Sequence, residues 1–342
     1  MVGDFEYADP HCHGIGPIDF SEVGSYDLDT VELLLRAERS ACIATVFLRR
    51  ELIDAFSSML SMFYLGRQEG RYRNLLGFAL EGPLLAGRGG TPPLGFWRPD
   101  RAEWRRIANL GQKGLRYVVL APDAATSHDE PSPHWVAALL LDHGLSPALG
   151  HFDPRHPART VTTIDAVVIE RDVAGPHAPP ILTDHLFNDM PRLIRHAWRT
   201  AAEKARRDAE VEALDIERWA LQDLDRQIGL VPAALIRHGA EGNIRNFINF
   251  DGDHLDILIA RRALELIGED GVLAMTDRLD STVLCGHRLH RVPDNSLLYQ
   301  DMGVVSAGTS TIARQASNLR RVGVDNDAIR KITLGNALDV FC

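Results

Sequence analysis

The sequence lacks several features that mark secreted, membrane-bound and nucleic-acid-binding proteins. Its 342 residues include only four cysteines, which lie far apart and form no CxxC pair. No apolar run approaches the roughly 18 residues of a membrane-spanning helix, and no basic segment followed by an apolar one opens the chain. The formal net charge is −10, whereas nucleic acids and acidic membrane surfaces bind basic faces. We therefore expect a reduced, cytoplasmic protein with neither a nucleic-acid nor a membrane partner.

Eight short apolar runs recur along the chain, and several are separated by segments long enough for helices. The runs are Phe5–Ala8, Cys42–Leu48, Leu75–Leu80, Tyr117–Leu120, Ser146–Leu149, Ile181–Thr183, Arg245–Phe250 and Val272–Met275. Strands that alternate with helices predict an α/β fold with a parallel sheet, and eight of them predict closure into a (β/α)8 TIM barrel. Such a barrel takes about 250 residues plus insertions, so we predict that residues 1–342 form one barrel domain.

The segment 192–229 departs from this pattern. It is rich in Arg, Glu, Asp and Ala, and its apolar positions include Trp219, Leu221 and Leu224. This composition predicts an inserted amphipathic helix after the sixth strand. A solvated surface helix is the simpler interpretation, and a lid or an oligomer contact is the alternative. A homodimer is compatible with the sequence, which does not determine the oligomeric state.

Histidines and acids follow the predicted strands at their carboxyl ends, where barrel enzymes place their chemistry. His11 and His13 are two residues apart on the first strand, so their side chains project to the same side of the sheet. Later runs are followed by Glu81, His151, His185 and Asp277. Each residue alone has an ordinary explanation, such as a surface histidine or a capping acid. Together they predict a site for one or two Zn²⁺ or Fe²⁺ ions, with five ligands: His11, His13, Glu81, His151 and His185.

The predicted site suits a hydrolytic reaction. A bound divalent ion lowers the pKa of water from about 16 to about 7. Asp277, after the last strand, is placed to take a proton from that water and return it to a leaving group. His254, after the seventh strand, is placed to stabilise an oxygen that becomes negative or to hold a substrate hydroxyl.

Nine segments, in order along nearly the whole chain, carry a family resemblance. They are Asp9–Gly14, Leu80–Leu85, Leu120–Asp123, Gly150–His151, His185–Met190, Asp251–His254, Thr276–Asp277, Ala307–Thr309 and Leu334–Ala337. In them the chain resembles the N-acetylglucosamine-6-phosphate deacetylases of the amidohydrolase superfamily. The resemblance implies a small-molecule substrate, a divalent metal at Glu81, His151 and His185, often a second at His11 and His13, and Asp277 as the catalytic acid and base. It also implies substrate contacts at His254, Asn188, Asp189, Pro92 and the turn at Ala307 and Gly308.

The chain departs from the family in three ways. The family adds a small β-sandwich, and we expect this chain to be a barrel without it. An Asn-Ala pair of the family is here Asn188-Asp189, and two unit charges at 4 Å interact by roughly 4 kcal/mol at an effective dielectric of about 20, so Asp189 would repel a phosphate. The family's phosphate-binding arginine has no clear counterpart, although Arg226 lies in the corresponding region. We therefore expect deacetylation of an N-acetylated amino sugar, or of a related amide, whose charge or size differs from the family's usual substrate.

Two other interpretations remain open. A deaminase or cyclic-amide hydrolase acting on a nucleobase-like or other small biosynthetic intermediate would use the same activated water. A non-catalytic barrel retained as a binding or scaffold protein is the third. Loss of catalysis should remove a ligand or the acid/base, and the chain retains all of them, so we favour an enzyme.

Overall fold

A computed structural model of the protein describes residues 5–127, 130–194 and 197–342. Arg195 and His196, which belong to the predicted 192–229 segment, therefore lie outside the described residues. Eight parallel strands form the central sheet in the order in which they occur in the chain. They are β1 (Tyr7–Cys12), β2 (Ser40–Val46), β3 (Leu75–Glu81), β4 (Leu115–Leu120), β5 (Ser146–Leu149), β6 (Ile181–His185), β7 (Ile244–Ile248) and β8 (Val272–Ala274).

The sheet closes between β1 and the residues that follow β8. The backbone N–H of Asp277 donates a hydrogen bond to the carbonyl of His11 (3.1 Å), and the N–H of His13 donates to the carbonyl of Arg278 (2.8 Å). The predicted (β/α)8 barrel is thus confirmed, and each of the eight predicted runs overlaps one strand. This closure also brings the chain after β8 directly beside the two histidines of β1.

Helices connect the strands and cover the outside of the barrel. They are α1 (Leu28–Ala37), α2 (Ile53–Gln68), α3 (Arg101–Ala108), α4 (Pro133–Asp142), α5 (Pro157–Ala174), α6 (Ala201–Glu212), α7 (Asp225–Ile228), α8 (Leu230–Ala240), α9 (Ile257–Ile267), α10 (Ile312–Arg321), α11 (Asn326–Arg330) and α12 (Asn336–Phe341). Short polar side chains begin several of them: Asp27 caps α1, and Asp100 and Glu103 form a capping box on α3. These side chains accept hydrogen bonds from N–H groups that have no partner within the helix.

Apolar side chains fill the barrel interior below the site. Successive side chains of β4 alternate between the barrel interior and the layer between strands and outer helices. Tyr117 and Val119 belong to the interior cluster, whereas Val118 packs with the outer helices. Phe341 of α12 joins the interior cluster, with its ring centroid 5.9 Å from that of Tyr117. The polar groups are therefore concentrated at the carboxyl ends of the strands, where the interior opens.

The segment after β6 is less continuously helical than the sequence pattern predicts. It contains α6, a 3-10 turn at Ile216–Arg218 and the short α7. Trp219 and Leu224 are buried in the cluster formed by the neighbouring barrel helices. The chain folds back because these apolar residues pack against the barrel, which one straight helix over 192–229 would not allow. The assignment of residues 1–342 to one domain with this insertion stays a prediction.

Short antiparallel strands follow β8 before the chain reaches α10. Val283–Leu284 pairs with His287–Arg288, and a three-stranded sheet is formed by His290–Arg291, Leu297–Tyr299 and Val305–Gly308. Near β1, Gly14–Ile15 pairs with Ile18–Asp19. Ala307 and Gly308 thus lie in a strand and not in the predicted turn. Among the described residues, every helix is too short or too polar to cross a bilayer.

Candidate metal centre

The Nε2 atoms of four histidines meet around Glu81 at the carboxyl end of the barrel. Those of His11 and His13 lie 3.0 and 2.9 Å from Glu81 Oε2, and 3.3 Å from each other. Those of His151 and His185 lie 2.7 and 3.6 Å from Glu81 Oε1. The structure therefore brings the five predicted ligands together, and each oxygen of Glu81 faces one pair of histidines.

An aspartate completes each half of this arrangement. Asp277 Oδ1 lies 3.0 Å from His13 Nε2, and Asp184 Oδ2 lies 3.2 Å from His151 Nε2 and 3.1 Å from His185 Nε2. The first ligand group is His11, His13, Glu81 and Asp277, and the second ligand group is Glu81, His151, Asp184 and His185. We call the seven residues of these two groups the floor of the site. Within each group the candidate ligand atoms lie within 4.8 Å of one another.

Hydrogen bonds at the opposite ring nitrogen orient the histidines of β1. Tyr117 donates its hydroxyl proton to the carbonyl of Pro10 (2.8 Å), so its oxygen accepts from His11 Nδ1 at 3.0 Å. His13 Nδ1 lies 3.3 Å from the carbonyl of Thr45, which can only accept. Both rings thus carry a proton on Nδ1. In the neutral rings Nε2 is left free as a metal ligand, as such outer hydrogen bonds achieve in metal sites.

The charges around the histidines favour a positive occupant. Burial lowers the pKa of His13, but the carboxylates of Glu81 and Asp277 outweigh it and hold that pKa well above its usual range. Burial also lowers the pKa of His185, and Asp184 together with Glu81 raises it to about 9. Imidazoles surrounded by buried carboxylates hold either additional protons or a cation. The site is therefore suited to a metal ion that displaces those protons.

Unpartnered buried atoms support the same conclusion. Among the described residues, neither oxygen of Asp184 accepts a hydrogen bond, and His185 Nδ1 and His254 Nε2 have no hydrogen-bond partner. A buried polar group without a partner is costly, and a buried charge more so. Imidazole nitrogens and carboxylate oxygens are ligands suited to divalent transition metals. The residues present therefore fit a divalent metal ion.

Irregular backbone aims several of these side chains. The registers of β1 with β2 and of β6 with β7 both shift near the site, and such bulges re-aim side chains. His151 and Asp277 have φ angles of +51° and +55°. This left-handed region is uncommon for residues other than glycine and is concentrated at functional sites. The strand ends thus turn their polar side chains toward one centre.

His254 lies beside Asp277 and could polarise a substrate. Its Nδ1 is 2.7 Å from Asp251 Oδ2, and its Nε2 is 3.5 Å from Asp277 Oδ2. Burial lowers the pKa of His254, but Asp251 and Asp277 raise it to about 10. Burial raises the pKa of Asp277, but His13 and His254 hold it below its usual range. At neutral pH the site therefore places an imidazolium donor next to a carboxylate acceptor.

A cavity of about 210 Å³ lies over the floor and is lined by Glu81, His151, His185, His254 and Asp277. Loop residues form much of its upper wall. We call six of them the rim: Gly90, Asn188, Asp189, Arg192, Val305 and Ser306. The floor thus contributes candidate metal ligands to this cavity, and the rim forms much of its upper wall.

The predicted substrate-contact residues separate into two sets. Three line the cavity: His254, Asn188 and Asp189. Three others are not among its described lining residues: Pro92, Ala307 and Gly308. Gly308 instead packs against His254, because a Cβ added at Gly308 would lie 2.5 Å from His254 Cε1. Arg226, on α7, is likewise not a lining residue. Their roles toward a substrate stay predictions.

The sequence analysis missed Asp184 and four of the six rim residues, namely Gly90, Arg192, Val305 and Ser306. Asp184 gave one signal, since it directly precedes His185 at the end of a predicted strand. Gly90 and Ser306 are far apart in the sequence and have no pattern that pairs them. They meet only in the folded chain, where the Ser306 hydroxyl donates a hydrogen bond to the Gly90 carbonyl at 2.6 Å. Arg192 follows a segment of the family resemblance and was not singled out.

The rim carries charges of both signs. Asp189 Oδ2 accepts a hydrogen bond from the N–H of Gly90 (3.2 Å) and lies 3.4 Å from His151 Nδ1. Arg192 donates through Nη1 to the carbonyl of Phe187 and lines the same cavity. Burial lowers the pKa of Arg192, and the charge of Asp189 partly offsets that effect. The predicted repulsion of a phosphate by Asp189 is therefore accompanied by a nearby cationic group.

The sequence matches no protein-family model and no curated protein, but solved structures resemble it. One is a mutant N-acetyl-D-glucosamine-6-phosphate deacetylase from Mycobacterium smegmatis in complex with N-acetyl-D-glucosamine-6-phosphate. The match has a TM-score of 0.68 and 20% sequence identity, and it covers 98% of this chain and 77% of that one. The N-acetylglucosamine-6-phosphate deacetylase of Pasteurella multocida has a TM-score of 0.69 and 15% identity over 98% and 76%. This chain has the fold of these deacetylases.

A third structure of the same kind agrees. The N-acetylglucosamine-6-phosphate deacetylase of Thermotoga maritima has a TM-score of 0.66 and 16% identity, over 98% of this chain and 78% of that one. The predicted (β/α)8 barrel is thereby confirmed. At these identities the likeness is one of fold, so the chemistry has to be argued from this chain's own side chains.

Proposed function

We propose that this protein is a metal-dependent hydrolase that removes the acetyl group from an N-acetylated amino sugar. One observation carries the proposal: the Nε2 atoms of four histidines converge on Glu81, with Asp277 beside them, at the end of the barrel where such folds place catalysis. The N-acetylglucosamine-6-phosphate deacetylases that share the fold support the choice of reaction and substrate class.

The floor would hold one or two Zn²⁺ or Fe²⁺ ions. Glu81, His151 and His185 are the proposed ligands of one, and His11 and His13 those of a second. Such an ion lowers the pKa of a water molecule from about 16 to about 7, which makes a nucleophile available at neutral pH.

Asp277 moves the proton in this proposal. Its carboxylate is ionised at neutral pH and lines the cavity, so it can accept a proton from the water whose oxygen attacks the acetyl carbonyl carbon. The same proton is then donated to the sugar nitrogen as the C–N bond breaks. The products are acetate and a free amino sugar.

His254 stabilises the carbonyl oxygen while that oxygen becomes negative. Asp251 and Asp277 outweigh burial and raise the pKa of the ring to about 10, which favours its protonated form at neutral pH. Its Nε2 has no hydrogen-bond partner among the described residues and lies at the cavity wall. An oriented donor of this kind lowers the energy of the transition state more than that of the substrate.

The rim bears on which sugar binds. Asp189 disfavours a phosphate next to it, and Arg192 favours an anionic group on its own side of the cavity. We therefore propose an N-acetylated amino sugar whose charge or size differs from that of N-acetylglucosamine 6-phosphate. Coulomb interactions of several kcal/mol across short distances in a partly buried cavity would be sufficient for this selection.

A substrate panel tests the proposal. Metal-loaded protein is assayed for acetate release from neutral and phosphorylated N-acetyl sugars, and for ammonia release from nucleobases. We expect acetate release, with N-acetylglucosamine 6-phosphate not the best substrate. If that compound proved best by a wide margin, the substrate assignment would be wrong. Ammonia release without acetate release would replace the deacetylase with a deaminase, and inactivity on every compound would reject both.

A further inference from the structure

Asp184 is a buried carboxylate that the proposed reaction does not use. Its side chain is 1% exposed, and neither oxygen accepts a hydrogen bond from a described residue. The nearest polar atoms are histidine nitrogens, since Oδ2 lies 3.2 Å from His151 Nε2 and 3.1 Å from His185 Nε2, and Oδ1 lies 3.4 Å from His11 Nδ1. Removing one partner of a buried charge is strongly destabilising, so this carboxylate requires a positive partner.

The nitrogen of His151 that faces Asp184 can be that partner only when the ring holds a second proton, and a metal ion would take the place of that proton. His151 Nδ1 lies 3.4 Å from Asp189 Oδ2, an acceptor, and therefore carries the ring proton. In the neutral ring Nε2 then presents a lone pair toward Asp184. A lone pair and a carboxylate repel each other at 3.2 Å, whereas a cation between them attracts both.

The distances in the second ligand group are equal to or a few tenths of an ångström shorter than those around a four-coordinate ion, so a small outward shift of the side chains would fit one. Bonds of about 2.0–2.2 Å in a tetrahedron place neighbouring ligand atoms roughly 3.3–3.6 Å apart. The Nε2 atoms of His151 and His185 lie between 2.7 and 3.6 Å from the oxygens of Glu81 and Asp184. We infer that Asp184 is a direct ligand of the ion held by Glu81, His151 and His185, an inference that rests on the proposed metal dependence.

The position of Asp184 leaves the reactive side of this ion accessible. His151 and His185 line the cavity, whereas Asp184 is not among its described lining residues. Asp184 would therefore contact the ion away from the cavity and would leave the cavity side to water and substrate. Gly150 makes the room, because a Cβ added there would lie 2.4 Å from the Cβ of Asp184.

The charge of Asp184 also sets the number of ions. With neutral histidines, the floor contains three buried carboxylates, namely Glu81, Asp184 and Asp277. One divalent ion would leave a net charge of about −1 buried there, which is unfavourable in a medium of low dielectric. Two divalent ions reverse the sign and give a positive site that can polarise a carbonyl group. Asp184 thus makes the floor a centre for two ions.

Metal titration tests this inference without an activity assay. Chelator-treated protein is titrated with Zn²⁺ against a chromophoric competitor, and bound zinc is measured. The wild type should bind two equivalents. Asp184→Asn should bind one of them more than about 100-fold more weakly, since loss of a residue that only orients a ligand costs about 10- to 100-fold. Asp123→Asn is the matched control, since Asp123 is a buried carboxylate at the same end of the barrel that bonds Thr160 and the N–H of Asp153.

Two results would overturn the inference: a single equivalent in the wild type, or unchanged affinity and stoichiometry in Asp184→Asn. If Asp184→Asn failed to fold, anomalous diffraction from zinc-loaded wild-type crystals would decide. An Asp184 oxygen about 2.0–2.2 Å from a zinc ion supports the ligand, and one beyond about 3 Å rejects it. Two bound ions without acetate release would reject the proposed deacetylase and leave the ligand set intact.

Discussion

The floor and the rim of the cavity are built from different kinds of structure. Floor side chains stand at or just past the ends of β1, β3, β5, β6 and β8, whose backbones are held by the sheet. Rim side chains stand in loops and in the short strand Val305–Gly308, joined by contacts such as the hydrogen bond from Ser306 to Gly90. The reactive groups are thus fixed by the fold itself, whereas the substrate-facing wall depends on segments that can vary without disturbing the barrel.

We therefore expect the floor and the rim to respond differently to substitution. A change in the floor should affect metal content and turnover for every substrate. A change in the rim should affect the choice among substrates while metal content is kept.

Replacing the shared carboxylate should have the largest effect. Glu81→Gln removes the negative charge that faces both pairs of histidines, so we expect loss of bound metal and at least about 100-fold slower acetate release. Elemental analysis and an acetate assay measure the two effects. Glu170→Gln, on α5 beside His134, is the control and should behave as the wild type. Normal metal content in Glu81→Gln would contradict the role assigned to Glu81.

Asp277→Asn should retain the shape of the side chain and lose its ability to carry a proton. We expect kcat to fall about 10²- to 10⁴-fold, while the ion of the second ligand group remains bound because Asp277 does not belong to that group. Steady-state kinetics with parallel metal analysis measure both. A kcat within about threefold of the wild type would remove Asp277 from proton transfer.

His254→Gln should have a smaller effect, because His254 belongs to neither ligand group. Loss of the charged donor should lower kcat by about 10²-fold and leave metal content unchanged. A thermal unfolding scan compares the stability of the variant with that of the wild type. We expect similar stability, because Asp251 also accepts hydrogen bonds from the N–H groups of Asp253 and residue 254. A raised KM with unchanged kcat would show that His254 only binds the substrate.

Asp189→Asn should change selection more than turnover. Removing this charge from the rim should improve kcat/KM for a phosphorylated sugar relative to its neutral counterpart by about tenfold, since the group is partly exposed and solvent screens it. Asp153→Asn is the control, because Asp153 bonds Arg155 and His156 at the same end of the barrel without lining the cavity. An equal loss for both sugars would show that Asp189 acts only by orienting His151.

The sequence by itself determined the barrel and most of the floor. Alternation of apolar runs and helical segments is written locally along the chain, and a strand's period of two is sufficient to place His11 and His13 on one side. Parallel strands in a closed sheet bring their carboxyl ends together, so Glu81, His151 and His185 could be assigned to the same place. These inferences need only residue spacing and the geometry of a sheet.

The positions of the remaining site residues depend on tertiary packing and could not be predicted from residue spacing. Asp184 was missed because a regular strand would point it away from its neighbour His185, whereas the shifted register of β6 brings both side chains into the second ligand group. The left-handed backbone at His151 and Asp277 and the contact between Gly90 and Ser306 depend on packing between distant segments. The amphipathic composition of 192–229 predicted an inserted helix, whereas the segment forms α6, a 3-10 turn and α7, with Trp219 and Leu224 buried among the barrel helices. Long-range packing thus overrode local pattern wherever the two disagreed.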